Sequence, residues 1–369
     1  MDELALPLRP ELAGIEPYGA PQLDVACRLN VNENPYPPSE QMVAAIVAAV
    51  GEAARGLNRY PDRDARQLRA DLAAYLAREA GVALSADHVW AANGSNEIML
   101  HLLQAFGGAG RTLAATTPSY SMYPEYARDT GTAYRACPRR KDFSVDVAAL
   151  EEMIDAVSPS LLVIPSPNNP TGTALDLSDA AALAEATRRA GPQGSDCLFV
   201  IDEAYAEFRR EGTPSALELV RRYPHVVVTR TLSKAFGMAG LRLGYLAAHP
   251  SIVDALAVVR LPYHLSAITQ AAARAALSHA DAQLDQVARL RHRRDELARY
   301  LVTQGFDVVD SDANFILFGR FRDRHAVFSQ LLERGILVRE VGPQGYLRVS
   351  IGTGSETEAF KRALTEVTS

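Results

Sequence analysis

Short apolar runs alternate with helically spaced segments through the middle of the chain. Leu161–Pro165 reads L-L-V-I-P, Phe199–Asp202 reads F-V-I-D, and Val226–Thr231 reads V-V-V-T-R-T. Runs this short and unbroken, rich in β-branched residues, predict strands buried on both faces, hence a mostly parallel sheet covered by helices. Val89–Ala92, the run from Leu113, and G-Y-L-A-A after Arg242 add further strands. Helices are predicted to begin near Ser39 and to cover Leu68–Ala80. A long amphipathic, Arg-rich helical stretch is predicted over Ala267–Gln304, its charges forming a solvated face. Near the carboxyl end, F-D-V-V, N-F-I-L-F, I-L-V-R-E and Y-L-R-V-S-I-G surround a helix near Ala326–Arg334, which reads as a smaller α+β unit. The first 45 residues are irregular and proline-rich, with a turn at N-R-Y-P-D further on. The expected division is a large domain over 46–264 and a small one made of 1–45 and 265–369.

Polar residues at the ends of the buried runs need a reason, because carboxylates, lysines and arginines belong on surfaces. The run F-V-I-D-E-A-Y ends in Asp202, with Tyr205 three positions later; V-V-V-T-R-T-L-S-K delivers Lys234 into a small-residue turn; Arg242 follows eight residues on. Ligands in open parallel sheets bind beyond the carboxyl ends of the strands. Asp, Tyr, Lys and Arg gathered there suit a cofactor that is cationic at one end, phosphorylated at the other and held by an imine. Pyridoxal 5'-phosphate has those handles. W-A-A-N-G-S-N-E adds a strand, a Gly turn and a helix start, whose free amides at Ser95 and Asn96 favour an anion. T-P-S-Y puts Tyr120 just after a strand, placed to stack on a planar ring or simply to pack. P-N-N-P-T-G offers Asn169 as a donor to a phenolate oxygen, or as an ordinary turn residue.

Bulk properties narrow the field. The chain has 369 residues, 48% of them apolar, which is ample for a large core. Its net charge of −6 and the absence of any basic block exclude nucleic acid as an expected partner. No apolar run approaches the length that spans a bilayer, and M-D-E-L-A-L-P does not read as a secretory signal. Cys27, Cys137 and Cys197 lack metal-ligand spacing and are expected to be reduced and packed, in a cytoplasmic protein with no metal.

In order, G-S-N-E, P-S-Y, N-P-T-G, D-E-A-Y, S-K-x(7)-R and L-R-V-S-I-G resemble the fold-type I, aspartate-aminotransferase-like enzymes. Within them, L-N-V-N-E-N-P-Y-P-P-S, L-N-R-Y-P-D-R-D, V-R-L-P-Y-H-L-S and S-D-A-N-F-I-L-F resemble the histidinol-phosphate aminotransferases, particularly the actinobacterial form. The resemblance implies a large domain with a central, mostly parallel seven-stranded sheet and a smaller α+β domain. It implies Lys234 as the covalent attachment point and proton carrier, Asp202 as partner of the pyridine nitrogen, and Tyr205 and Asn169 as partners of the ring oxygen. Tyr120 would stack on the ring; Ser95, Asn96, Thr231, Ser233 and Arg242 would hold the cofactor phosphate. Arg348 would grip the amino donor's carboxylate. Tyr18, Asn34, Tyr263 and Arg339 would hold the substrate phosphate, with Tyr60 of the partner subunit completing the site of a homodimer. His264 is expected to be structural. The implied reaction moves an amino group between histidinol phosphate and 2-oxoglutarate, giving imidazole-acetol phosphate and glutamate. An aromatic amino-acid aminotransferase and an L-threonine-O-phosphate decarboxylase-like lyase share these motifs; a PLP-binding transcriptional regulator would need an added DNA-binding domain for which the chain has no room.

Overall fold

The structure is a computed structural model and describes residues 6–368. Its strands, in chain order, are β1 (Cys27–Arg28), β2 (Val89–Ala92), β3 (Thr112–Thr117), β4 (Ala133–Pro138), β5 (Leu161–Pro165), β6 (Leu198–Asp202), β7 (Val226–Thr231), β8 (Gly244–Ala247), β9 (Asp307–Val308), β10 (Phe315–Gly319), β11 (Ile336–Leu337) and β12 (Tyr346–Ser350). A seven-stranded sheet runs in the order β2-β8-β7-β6-β5-β3-β4. All neighbours in it are parallel except β8, which runs against both β7 and β2. Every residue of β5, β6, β7 and β8 is buried, as their continuous apolar sequences require.

Side chains alternate across this sheet, so each strand feeds two separate cores. Leu198, Val200, Val163 and Val227 pack on one face with Trp90, Leu102 and Tyr123. Phe199, Ile201, Val226 and Val228 pack on the other, with Leu72, Tyr75 and Tyr245. The same parity decides where the polar residues at the strand ends point.

Smaller sheets complete the molecule. β12, β10 and β9 form an antiparallel sheet, and β1 pairs in parallel with β11, tying the amino-terminal segment to the carboxyl-terminal region. The helix from Glu40 to Ala54 starts where expected, with Ser39 Oγ accepting from the Met42 amide at 3.2 Å. The predicted helical stretch to Gln304 is two helices, Ala267–Leu277 and Ala280–Thr303. The break falls at Ser278–His279 with no Gly or Pro to announce it. Nor are all its charges solvated: Arg294 is buried, donating to the carbonyls of Phe208 at 2.7 Å and Ala313 at 3.2 Å. That guanidinium caps the loop after β6, a long-range job that helical periodicity cannot reveal.

Candidate active site

The loops leaving β2, β3, β5, β6 and β7 meet at the carboxyl edge of the sheet and line a cavity of about 500 Å³. Asp202 is the last residue of β6 and pairs in register with Thr229 of β7. Its carboxylate accepts hydrogen bonds from Tyr123 Oη and Thr229 Oγ1, each 2.9 Å away. Burial raises its pKa above the ordinary carboxyl value, and these two donors only partly oppose that. Among the described residues it forms no ion pair. A buried carboxylate held in place without a cation is a site prepared for one.

A second pole is cationic. The helix Ser95–Phe106 begins at the cavity, directing its first free amides at the space that Ser95 and Asn96 line. Asn96 is held by Tyr126, whose hydroxyl donates to Oδ1 at 2.8 Å. Gly94, at φ +87°, lies so close to Arg242 that an added Cβ would sit 2.6 Å from its Nη2. Arg242 anchors itself through Nη1 to the Ala239 carbonyl at 3.2 Å and pairs with no carboxylate among the described residues. Thr231 and Ser233 line the same wall; Thr231 Oγ1 donates to Leu243 O and accepts from the Ser233 amide, both at 3.1 Å.

Lys234 enters from the turn after β7, its Nζ donating to the Val31 carbonyl at 3.0 Å. Burial, then the positive charges of Arg348 and Arg242, lower its pKa to about 8 against the opposing pull of Glu33. Arg348, on β12, donates to the Asn30 carbonyl at 2.6 Å and to Asn169 Oδ1; its Nε is buried with no hydrogen-bond partner. Burial, reinforced by nearby Arg339, lowers this guanidinium to about 10. Arg339 faces Arg348 across a two-residue antiparallel bridge and also lines the cavity without a carboxylate partner among the described residues. Tyr18, Tyr120 and Tyr205 complete the aromatic lining.

The structure therefore brings Ser95, Asn96, Tyr120, Asn169, Asp202, Tyr205, Thr231, Ser233, Lys234, Arg242, Tyr18, Arg339 and Arg348 into one cavity. Three expected residues do not line it. Asn34 bridges two chain segments instead, donating to the Ala235 carbonyl and accepting from the Tyr36 amide. Tyr60, 79% exposed, stacks on half-exposed Tyr263 with ring centroids 4.3 Å apart, away from the cavity of its own chain. His264 stacks on Trp90 and bonds the Ala91 carbonyl. Residues that sequence reasoning passed over are Tyr123 and Thr229 behind Asp202, and the run Asn30-Val31-Asn32, which touches Arg348, Lys234 and Tyr205 in turn. Sequence placed that run in the irregular amino-terminal stretch but did not mark it as a wall of the site. The cysteines are free and buried, and no cluster of metal-binding side chains occurs among the described residues.

Comparison with known proteins places this cavity in a class. The family model described as aminotransferase class I and II matches residues 26–367, and the chain belongs to that family. Within it the chain groups with the histidinol-phosphate aminotransferases. It is 57% identical to that enzyme of Thermobifida fusca, over 98% of this chain and 96% of the relative. It is 52% identical to that of Bifidobacterium adolescentis, over 98% and 95%. Among solved structures, histidinol-phosphate aminotransferase from Sinorhizobium meliloti in complex with pyridoxal-5'-phosphate superposes with a TM-score of 0.81 at 25% identity, over 93% of this chain and 91% of that one. A Thermus thermophilus aspartate aminotransferase variant gives 0.80 at 25% identity, over 97% and 98%. The architecture is the fold-type I arrangement.

The residues present fit pyridoxal 5'-phosphate. Asp202 supplies the buried, cation-less carboxylate a protonated pyridine requires, while Arg242, packed so closely against Gly94 that a Cβ there would collide with it, and the helix amides supply an anion site. Lys234 supplies an amine whose pKa, lowered to about 8, leaves roughly a tenth of it neutral and nucleophilic at pH 7, far more than an ordinary lysine.

Proposed function

We propose that the chain transfers the amino group of L-histidinol phosphate to 2-oxoglutarate, giving imidazole-acetol phosphate and L-glutamate in histidine biosynthesis. The observation that carries this reading is the second anion-seeking pole of the cavity. Arg339 and Arg348 stand there without a carboxylate, beyond the pole that Arg242 and the helix amides devote to the cofactor. A substrate that is itself a phosphate ester, alternating with a dicarboxylate, uses both of those guanidinium groups. The names of the similar relatives support the same substrate.

When bound, pyridoxal 5'-phosphate supplies the electron sink that stabilises negative charge at the substrate carbon. The chain's own groups do the rest. Asp202, fixed by Tyr123 and Thr229, holds a proton-bearing cation against its carboxylate in a dry site. Lys234 Nζ, lowered to about 8, accepts and returns a proton near neutral pH with little driving force lost. Arg348, lining the cavity, would meet a carboxylate there, with Asn169 and the Asn30 carbonyl fixing its guanidinium plane. Tyr205 and Asn169 would hold the ring oxygen, and Tyr120, lining the same cavity, would cover the ring face.

The same proposal extends to assembly. Tyr60, Tyr263, Leu57, Val258 and Leu261 are all exposed apolar side chains. A two-fold copy would cover them and carry Tyr60 into the neighbouring cavity, as a cytoplasmic homodimer with shared sites. The two-lobe division at 46–264 against 1–45 plus 265–369 belongs to this reading, supported by the separate sheets. No helix among the described residues is long and apolar enough to cross a membrane.

The test is competition among amino donors. Purified holoenzyme given histidinol phosphate, phenylalanine and phosphothreonine together should consume the first by far the fastest and form glutamate from 2-oxoglutarate. Preference for phenylalanine would make it an aromatic aminotransferase, and carbon dioxide release from phosphothreonine a lyase. Mixing inactive Lys234→Ala and Tyr60→Ala dimers should restore activity in proportion to heterodimer; heterodimers that stay inactive would refute the shared site.

A further inference from the structure

Asn32 stands at the start of a hydrogen-bond chain with a single possible polarity. Its backbone is left-handed, at φ +56°, and it is buried. The Asn32 amide N–H donates to Ser350 Oγ at 2.9 Å, and Ser350 Oγ lies 2.9 Å from Asn32 Oδ1. Among the described residues the Ser350 hydroxyl has no other acceptor, so its single proton is satisfied only when the carboxamide turns Oδ1 towards it. That fixes the orientation of the amide, and Nδ2 must donate to Tyr205 Oη, 3.0 Å away. Asn314 holds the same turn from behind, donating to the Asn32 carbonyl at 3.0 Å. Tyr205 thus accepts from Asn32, and no acceptor among the described residues takes its own proton. Its ring lines the cavity, which leaves the cavity as the direction of that O–H.

We infer that Asn32, oriented by Ser350, is a positioning residue that compels Tyr205 to donate its phenolic proton into the cavity and thereby stabilises an anionic oxygen on the bound cofactor. This rests on the cofactor reading above. The physical consequence is electronic. A donated hydrogen bond favours the ionised form of the oxygen that accepts it and lowers that group's pKa. The neighbouring run shares the design, since Val31 O holds Lys234 and Asn30 O holds Arg348, yet Asn32 alone acts through another side chain's proton.

Asn32→Asp is nearly isosteric and reverses the polarity. A carboxylate cannot donate to Tyr205; it accepts the phenolic proton and withdraws it from the cavity. Ser350→Ala removes the group that fixes the amide, so the amide is free to flip and present Oδ1 to Tyr205. The readout is the pH titration of the visible absorption of the reconstituted holoenzyme, recorded without substrate, with circular dichroism and Tm as folding controls. The apparent pKa of the band should rise by about one unit or more in Asn32→Asp and by a smaller amount in Ser350→Ala. Asn32→Gln, which keeps a donor, should lie nearer the wild type than Asn32→Asp does. If Asn32→Asp does not fold, the Ser350→Ala shift decides. Folded variants that bind cofactor and titrate like the wild type would overturn the inference while leaving the cofactor reading intact. A wild-type protein that takes up no pyridoxal phosphate would instead overturn the reading beneath it.

Discussion

The two faces of the β6–β7 pair carry opposite kinds of buried charge. On one face Asp202 sits between Tyr123 and Thr229 with no cation among the described residues. One residue further on, the chain has turned over. Glu203 and, from β7, Arg230 point to the other face, where they pair at 2.8 Å. Arg230 also meets Glu79 at 3.1 Å and Glu207 at 3.3 Å, and Arg209 joins Glu79 at 3.0 Å and Glu203 at 3.4 Å. Burial alone would raise Glu203, yet Arg230 and Arg209 outweigh it and hold the carboxyl below its ordinary value. Asp202, equally buried, is raised. Adjacent carboxylates in D-E thus differ in one respect, the presence of a fixed counter-charge. The paired one is scaffold, and on the proposed reading the unpaired one is a socket for a ligand's charge.

That contrast can be broken from either side. Arg230→Met should cost most, because it leaves Glu207 with no cation and Glu79 and Glu203 with Arg209 alone in the core. Removing one partner of a buried ionic group typically loses about 3–5 kcal/mol, to be read as a fall in urea midpoint; an unchanged midpoint would place the network outside the core stability. Asp202→Asn should lose turnover equivalent to about 3–4 kcal/mol of transition-state stabilisation. Its apoprotein, by contrast, should be no less stable than wild type at neutral pH. The sign follows from the raised pKa: what the carboxyl contributes is present below the ordinary carboxyl range and lost as pH rises through the raised value. Should the apoprotein be clearly weakened, Asp202 is scaffold after all. The smallest effect concerns Lys234, lowered to about 8. Between there and the ordinary lysine range the unfolded chain holds a proton the folded chain lacks, so apoprotein stability should climb as pH rises through that window. Lys234→Met should lack this component, making its advantage in Tm largest below the window and smaller above it. Parallel Tm curves would mean the amine is solvated.

Much of the site was legible because its residues end strands, and strand ends are readable as apolar runs that stop. Asp202 announces itself that way, and Lys234 follows three residues after the β7 run stops. The helix start after Ser39 followed from local capping chemistry, and that at Ser95 from the Gly turn before it. What stayed hidden depends on partners far away in sequence. Glu203 and Glu207 lie inside D-E-A-Y-A-E-F, but their roles depend on Glu79 in the helix Arg66–Ala80 and on strand parity. Asn32 is invisible without Ser350 and Asn314. Arg294 looked like one more charge on an Arg-rich helix until the loop it caps was in view.

The reversed strand β8 sets a limit on how this chain can change. A parallel strand after β7 would need a crossover of about a dozen residues or more to return. By running backwards, β8 brings its own beginning to the edge where β7 ends, so the eight-residue step from Lys234 to Arg242 never leaves the cavity rim. An added Cβ at Gly244 would lie 2.3 Å from the Ser95 amide nitrogen, so the strand is also pressed against the helix start that shares its task. Connections elsewhere on the surface can lengthen or shorten as lineages diverge. This one works as a ruler of fixed length, and the spacing between lysine and arginine is the dimension it keeps.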